Sequence, residues 1–254
     1  MIKVQITFDN IYTLGHVVFE NHLYKHIHYP EMLVRYDSNF IEFKQIPSLI
    51  EFQNAETYLR DFHLKNGQKH VKFYFPPNER LGADLDDYLN HSGYDIGFLE
   101  LYAIQPNQFP TVNENPEIEI QVVTEVNLKP FLLLQYQHDL EYGVEFASQR
   151  QELHKRNFQD QNIQQLFALY KGDPAGSVDI IISEDTAEID GLVVDEDYQR
   201  KGIGSRLQKF VMENFQDRTI ILVADGEDTP REMYRRQNYK FHGYKYHVQK
   251  VYED

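Results

Sequence analysis

Runs of apolar residues with two different periods divide this chain, and the region from residue 118 onward carries them in an unbroken series. Ile118–Val123 alternates as a strand. Asn127 stands where a helix N-cap would, with Pro130 in the first turn, and the helix is expected to run through about Leu140. A second helical stretch covers Val144–Arg156. Strands follow at Gln164–Tyr170 and Gly176–Ser183, separated by a turn at Lys171–Pro174. Ala187–Val194, rich in β-branched residues, reads as a third, buried strand. From Ile203 the period changes: Ile203, Leu207, Phe210, Val211 and Phe215 fall on one helical face. A strand at Thr219–Ala224, a helix at Pro230–Arg236 and a strand from Tyr239 complete the series. The predicted order is strand, two helices, three strands, helix, strand, helix, strand.

The first hundred residues are patterned more loosely. Strands are expected at Ile2–Thr7, Phe40–Gln45 and Val71–Phe75, with Pro76 and Pro77 closing the last. A helix around Ala55–Leu64 would end near Gly67. Another helix spans Leu81–Asn90, and an alternating strand spans Tyr94–Ile104. This strand–helix–strand order also occurs at the C-terminus, where Tyr234, Asn238 and Tyr239 have the spacing of Leu89, Gly93 and Tyr94. Gln105–Glu117, with three prolines and three asparagines, reads as a linker. The expected domains are therefore 1–106, a linker at 107–117, and 118–254.

Composition narrows the chemistry. The 254 residues include 18 tyrosines and 17 phenylalanines, enough for a real core, and no cysteine. Disulfides, thiolate metal sites and a cysteine nucleophile are excluded. The formal net charge of −15 argues against nucleic acid or an anionic membrane as partner and is compatible with a cationic acceptor. No apolar run is long enough to span a bilayer, and the N-terminus lacks a signal-peptide core, so a soluble cytoplasmic protein is expected. His22 and His26 would share a helix face, with His28 nearby, but nothing completes a metal-ligand spacing. All three are expected to be solvated surface residues, and no metal is expected.

The candidate site lies between the strand ending at Val194 and the helix starting at Ile203. Gln199-Arg200-Lys201-Gly202-Ile203-Gly204 enters a helix whose first N–H groups have no partner within it, and the glycines permit close approach of a ligand. Such a turn suits a phosphate-bearing ligand. Arg200, Lys201, Arg206 and Lys209 make it locally basic in an acidic chain, although Arg206 and Lys209 read rather as a solvated helix face. It has neither the Gly-x-Gly-x-x-Gly of a dinucleotide fold nor the Gly-Lys-Ser/Thr of a nucleotide-triphosphate loop.

With the downstream segment around Tyr234, this stretch resembles the pyrophosphate-binding motif of the GNAT superfamily of acetyl-CoA-dependent N-acetyltransferases, over roughly Ile118 to Asp254. The resemblance implies an α+β fold with a central, mostly antiparallel sheet flanked by helices, preceded here by a smaller α+β domain. That domain reads either as a degenerate GNAT-like unit, lacking the glycine pair, or as an unrelated one. The resemblance further implies that the main chain of Leu192, Val193 and Val194 contacts the pantetheine arm. Gln199, Arg200, Lys201, Gly202, Ile203, Gly204 and Ser205 would hold the pyrophosphate. Tyr234 matches the family's proton donor to the leaving thiolate, with packing as its rival role; Asn238-Tyr239 replaces the usual Gly-Phe pair. Glu227 and Pro230 also depart from the pattern.

Glu188 and Asp190, two apart on a strand, share a face with Leu192. Eleven residues before Gln199, Glu188 matches the general-base glutamate of the histone-acetylating branch of the GNAT superfamily, so the resemblance implies a base there; an electrostatic pair for a cationic acceptor, a structural carboxylate, or proton transfer through water are the other readings. The expected activity is acetyl transfer from acetyl-CoA to a primary amine of a small molecule or peptide. The alternative is a non-catalytic acyl-CoA-binding module. The first domain is expected to close the acceptor pocket or to form a homodimer.

Overall fold

The computed structural model describes residues 5–226 and 230–252. Its strands are β1 (His16–Glu20), β2 (Tyr24–His28), β3 (Phe40–Phe43), β4 (His70–Tyr74), β5 (Asp95–Ile104), β6 (Ile118–Val122), β7 (Ile163–Tyr170), β8 (Asp173–Ile182), β9 (Thr186–Val194), β10 (Thr219–Asp225) and β11 (Lys240–Val251). Its helices are α1 (Leu49–Lys65), α2 (Ala83–His91), α3 (Leu128–Asp139), α4 (Val144–Gln159), α5 (Ile203–Asn214) and α6 (Pro230–Arg236). The fold is α+β with mostly antiparallel pairing; β3 with β4 and β9 with β10 are parallel.

The chain packs as two compact units, and neither is one continuous segment. The first comprises residues 1–12, 101–223 and 231–242; the second comprises 13–100, 224–230 and 243–254. This differs from the consecutive boundaries at 106 and 118. The cause lies in the ends of the chain. In the second unit β11 lies antiparallel to β4, from His247 opposite Tyr74 to Val251 opposite His70. In the first, Ile6 is buried with Leu101, Ala103 and Ile221.

Within the first unit the strands from β10 outward run β10-β9-β8-β7-β6, in the element order expected from the sequence. Ser177 on β8 hydrogen-bonds Gln135 of α3, whereas a Cβ on the adjacent Gly176 would meet Ile203 of α5. Because side chains alternate along a strand, α3 and α5 cover opposite faces. Asn127 does precede α3, but its side chain does not cap it. The amide instead donates to Gln121 and to the Val122 carbonyl, and its oxygen accepts from Thr124 N–H at 2.6 Å.

The second unit holds β1-β2-β3-β4 with α1 and α2 around an aromatic core that includes Phe43, Phe52, Phe73 and Phe75. The residues read as a helix face around His22 and His26 form instead the β1–β2 hairpin. Its turn is fixed by Asn21, whose side-chain oxygen accepts from the N–H groups of Leu23 and Tyr24 at 2.8 Å each. His22 is exposed as expected, but His26 and His28 are buried. Residues 5–7, the described part of the expected first strand, are not in a strand. The repeated spacing has a structural counterpart. Gly93 and Asn238 both adopt left-handed φ, 73° and 67°, and Tyr94 N–H and Tyr239 N–H each reach back five residues, to the carbonyls of Leu89 and Tyr234.

Candidate active site

The site is built where β9 turns into α5, in the first unit. Residues 196–198 make one 3-10 turn, capped by the Asp195 side chain, and the chain then passes through Arg200 at φ 60° and Gly202 at φ 90°. Gly202, at the N-cap of α5, is the residue this geometry requires to be glycine. Gly204 is different: a Cβ there would make ordinary contacts of 3.7 Å with Leu192 and Val194. Among the described residues, the first N–H after that of Gln199 with a backbone acceptor is that of Arg206, donating to Gly202 O at 3.0 Å. The N–H groups from Arg200 to Ser205 are left at the positive end of a 12-residue helix.

The strand leading into this turn is open on one edge. β9 pairs with β10 from Thr186–Thr219 to Glu188–Ile221, and the ladder stops there. On its other edge β9 stays paired with β8 as far as Val194, opposite Gly176. Between those points four residues of β9 (Asp190 to Val193) lie opposite three of β8 (Ser177 to Asp179), a bulge at Gly191, whose φ is 59°. The bulge corrects one expectation. Glu188 and Asp190 share a face, but Leu192 has been turned to the opposite one, where it meets α5 at Gly204. The main chain of Leu192, Val193 and Val194 therefore runs beside the Gly202 turn with its β10-side edge unpaired.

Glu188 is 6 % exposed. Its carboxylate accepts the N–H of Tyr12 at 2.8 Å, and burial raises its pKa to about 8, with Asp190 adding to the rise. Asp190 lies across the ladder from Asp179, which is buried, accepts from Asn157 at 3.0 Å, and has its pKa raised to about 6, chiefly by burial. Neither Tyr12 nor Asp179 was apparent from the sequence. The first contributes only its main chain, and the second lies in an apolar strand without a motif.

Tyr234 is half-buried on α6. Its ring lies 5.3 Å from that of Tyr102 and 5.4 Å, edge-on, from that of Tyr239, and burial raises its pKa. The Tyr239 hydroxyl donates to Gln208 of α5 at 2.8 Å, so the chain just after α6 is fastened to α5. Asn238, in place of the family's glycine, supplies the required left-handed conformation. Glu227 lies outside the described residues, as does the side chain of Pro230. Gln199 reaches back to Val194 O at 3.4 Å. Lys201 turns onto the Asp197 carbonyl and the rings of Tyr170 and Tyr198, away from the open N–H groups.

Among the described residues no group of three or more His, Asp or Glu side chains could hold a metal, and no helix is long and apolar enough to cross a membrane.

Comparison with known proteins agrees with this geometry. The family model for the acetyltransferase (GNAT) family matches residues 132–239, and one for a domain of unknown function, DUF5613, matches residues 6–102. A functionally unknown conserved protein from Staphylococcus epidermidis ATCC 12228 is 32% identical, with 98% of this chain and 99% of that one covered and a TM-score of 0.89. A GCN5-related N-acetyltransferase from Kribbella flavida shares the fold at 14% identity, with 94% and 91% covered and a TM-score of 0.62. A tandem GNAT protein from the clavulanic acid biosynthesis pathway does so at 11% identity, with 85% and 76% covered and a TM-score of 0.53. No curated protein matches the chain. Residues 132–239, which include β9 and α5, thus form a domain of the acetyltransferase (GNAT) family, and along its whole length the chain is related to the staphylococcal protein.

Proposed function

We propose that this protein moves an acetyl group from acetyl-CoA directly to a primary amine of a small molecule or peptide. One observation carries the reading: the unengaged N–H groups of residues 200–205 stand at the end of a strand edge that β10 leaves after Glu188. Those N–H groups and the dipole of α5 would hold the pyrophosphate. The free edge of Leu192, Val193 and Val194 would bond the pantetheine arm and offer an N–H to the carbonyl oxygen as negative charge develops there. The bound thioester supplies an activated acetyl carbon and a thiolate leaving group.

Glu188 accepts a proton from the amine. A carboxylate with a pKa near 8 is a stronger base than an ordinary one and lies closer to the amine's own value of about 10. Asp190 keeps that pKa high and attracts a cationic acceptor. Tyr234, held protonated by burial, gives its proton to the departing sulfur. In the exchange a C–N bond forms and the C–S bond breaks; Glu188 takes the ammonium proton, and the proton that nitrogen loses after attack restores the Tyr234 hydroxyl. Alignment of the two substrates would supply much of the acceleration.

The test is incubation with acetyl-CoA and a broad panel of amines, following release of free thiol. The chain has no cysteine, so the protein adds no thiol of its own. Amine-dependent thiol release is expected. Silence across the panel would overturn the reading, and tight cofactor binding without turnover would make the protein a non-catalytic acyl-CoA-binding module.

A further inference from the structure

The segment between β5 and β6 does more than connect them. Residues 112–115, with Ile118, face Lys201, Gly202, Ser205 and Arg206 across a cleft of about 390 Å3 in the first unit. The segment is anchored on both sides. Before it, Asn238 donates to Gln108 O at 2.9 Å and the Phe109 ring meets Tyr239 edge-on at 6.3 Å. After it, Asn115 O and Asn115 Oδ1 accept the N–H groups of Ile118 and Glu117, each at 3.0 Å. Between the anchors Glu114 projects into solvent, its side chain 84 % exposed, yet its carboxylate lies 4.0 Å from Arg206 and 3.9 Å from Lys209.

Both cations belong to the first two turns of α5. Lys209 has a second carboxylate in Glu213, at 3.6 Å. Arg206 presents a buried Nη1 for which the structure offers no hydrogen-bond acceptor, and at 4.0 Å Glu114 balances its charge without supplying one. A carboxylate held this loosely, on an anchored segment, at the positive end of a helix, occupies a place that suits a better acceptor with more charge.

We propose that Glu114 is an internal counter-ion of the cofactor site, which a phosphate group of the bound cofactor displaces from Arg206 and Lys209. Residues 112–115 thus form a strap that lowers affinity for the cofactor and moves when the cofactor arrives. Glu114 touches no reacting atom. It acts through the two cations and through repulsion of the incoming phosphate. The inference rests on the acyl-CoA reading given above, but can fail independently of it.

The test is calorimetric titration of the full chain with coenzyme A and with 3′-dephospho-coenzyme A, comparing the native protein with Glu114→Gln and Glu114→Lys at two salt concentrations. Exposed ion pairs of this length set the scale. Glu114→Gln is expected to bind coenzyme A about 3- to 10-fold more tightly and Glu114→Lys more tightly still, with both gains shrinking at high salt. A smaller gain with the dephospho compound would assign the displacement to the 3′-phosphate; an equal gain would assign it to the diphosphate. Unchanged or weaker binding by both variants, with the native protein binding normally, overturns the strap and leaves the proposed activity standing. If neither the native protein nor the variants bind, both ideas fall. If the variants alone bind, the strap is an inhibitor in full. Thermal unfolding checks that the variants are folded.

Discussion

Two helices follow equivalent steps in the two units: α5 after β9 in the first, α1 after β3 in the second, each leading to a strand parallel to the one before it. Their first turns are finished in opposite ways. At α1, Ser48 Oγ accepts the N–H of Glu51, and the Glu51 carboxylate accepts the N–H of Ser48 at 2.8 Å. The capping box satisfies donors and places a negative charge at the helix's positive end. At α5 a left-handed Gly202 holds the corresponding position with no side chain, and the donors remain open. The same supersecondary unit is sealed in one copy and left ready for an anion in the other.

The buried titratable groups differ as sharply. The first unit buries the carboxylates Glu188 and Asp179, whose pKa values rise to about 8 and about 6, with one histidine, His154, beside Asp139 and Asp179. The second buries a cluster of histidines together with one carboxylate, Glu100: His26, His63 and His70 are at most 1 % exposed, and burial lowers their pKa values to about 3, about 4 and about 3. The two sets respond to acid in opposite senses. A histidine whose folded pKa lies below its unfolded value binds fewer protons when folded, so its cost is absent above about pH 6.5 and grows as pH falls toward the folded pKa. A carboxylate with a raised pKa costs stability at neutral pH, and acid relieves that cost.

The largest expected effect follows from this. At pH 5 each of the three histidines should cost on the order of 2 kcal/mol, a substantial part of the stability of a domain, and because they face one another their costs are not independent. Hydrogen exchange followed from pH 7 to pH 5 should show α1 and β4 losing protection before α5 and β8. Simultaneous loss would break the contrast. Next, Gly202→Val should lower affinity for coenzyme A by about 100-fold, because a β-branched residue resists the left-handed backbone that aims the N–H groups. Calorimetry measures it, with circular dichroism confirming that the helices persist.

Tyr234→Phe should lower kcat by up to about 100-fold, most clearly at high pH, while leaving the cofactor Kd nearly unchanged. Equal turnover would reduce Tyr234 to its packing between Tyr102 and Tyr239. At the sealed helix, Ser48→Ala should cost about 1 kcal/mol in denaturant unfolding and leave cofactor binding untouched. The smallest effect is expected from Asp190→Asn. With the neighbouring negative charge gone, the acidic limb of the rate profile, near pH 8 in the native protein, should move to lower pH. A shift the other way would remove Glu188 from the assignment.

The sequence made the first unit legible because its signals are local. A strand, a turn with Gly202 and a helix with one apolar face each declare themselves within a dozen residues, and the element order followed. What escaped notice depended on partners distant in the chain or on the main chain itself. The Tyr12 N–H that steadies Glu188 leaves no trace in side-chain pattern. The bulge at Gly191 reversed the face of Leu192, which strict alternation cannot anticipate. β1 and β2 were hidden for another reason. Every residue of β1 is exposed, and β2 buries His26 and His28 where an apolar residue would have announced a strand.

The pairing of β11 with β4 has a consequence for how the protein is made. When residues 13–100 have left the ribosome they still lack β11, the strand that lies along β4. That partner is translated only after the whole acetyltransferase region has been synthesised. The second unit can thus be completed only after residues 101–242 have been translated, and the nascent chain must shelter the open flank of β4 in the meantime.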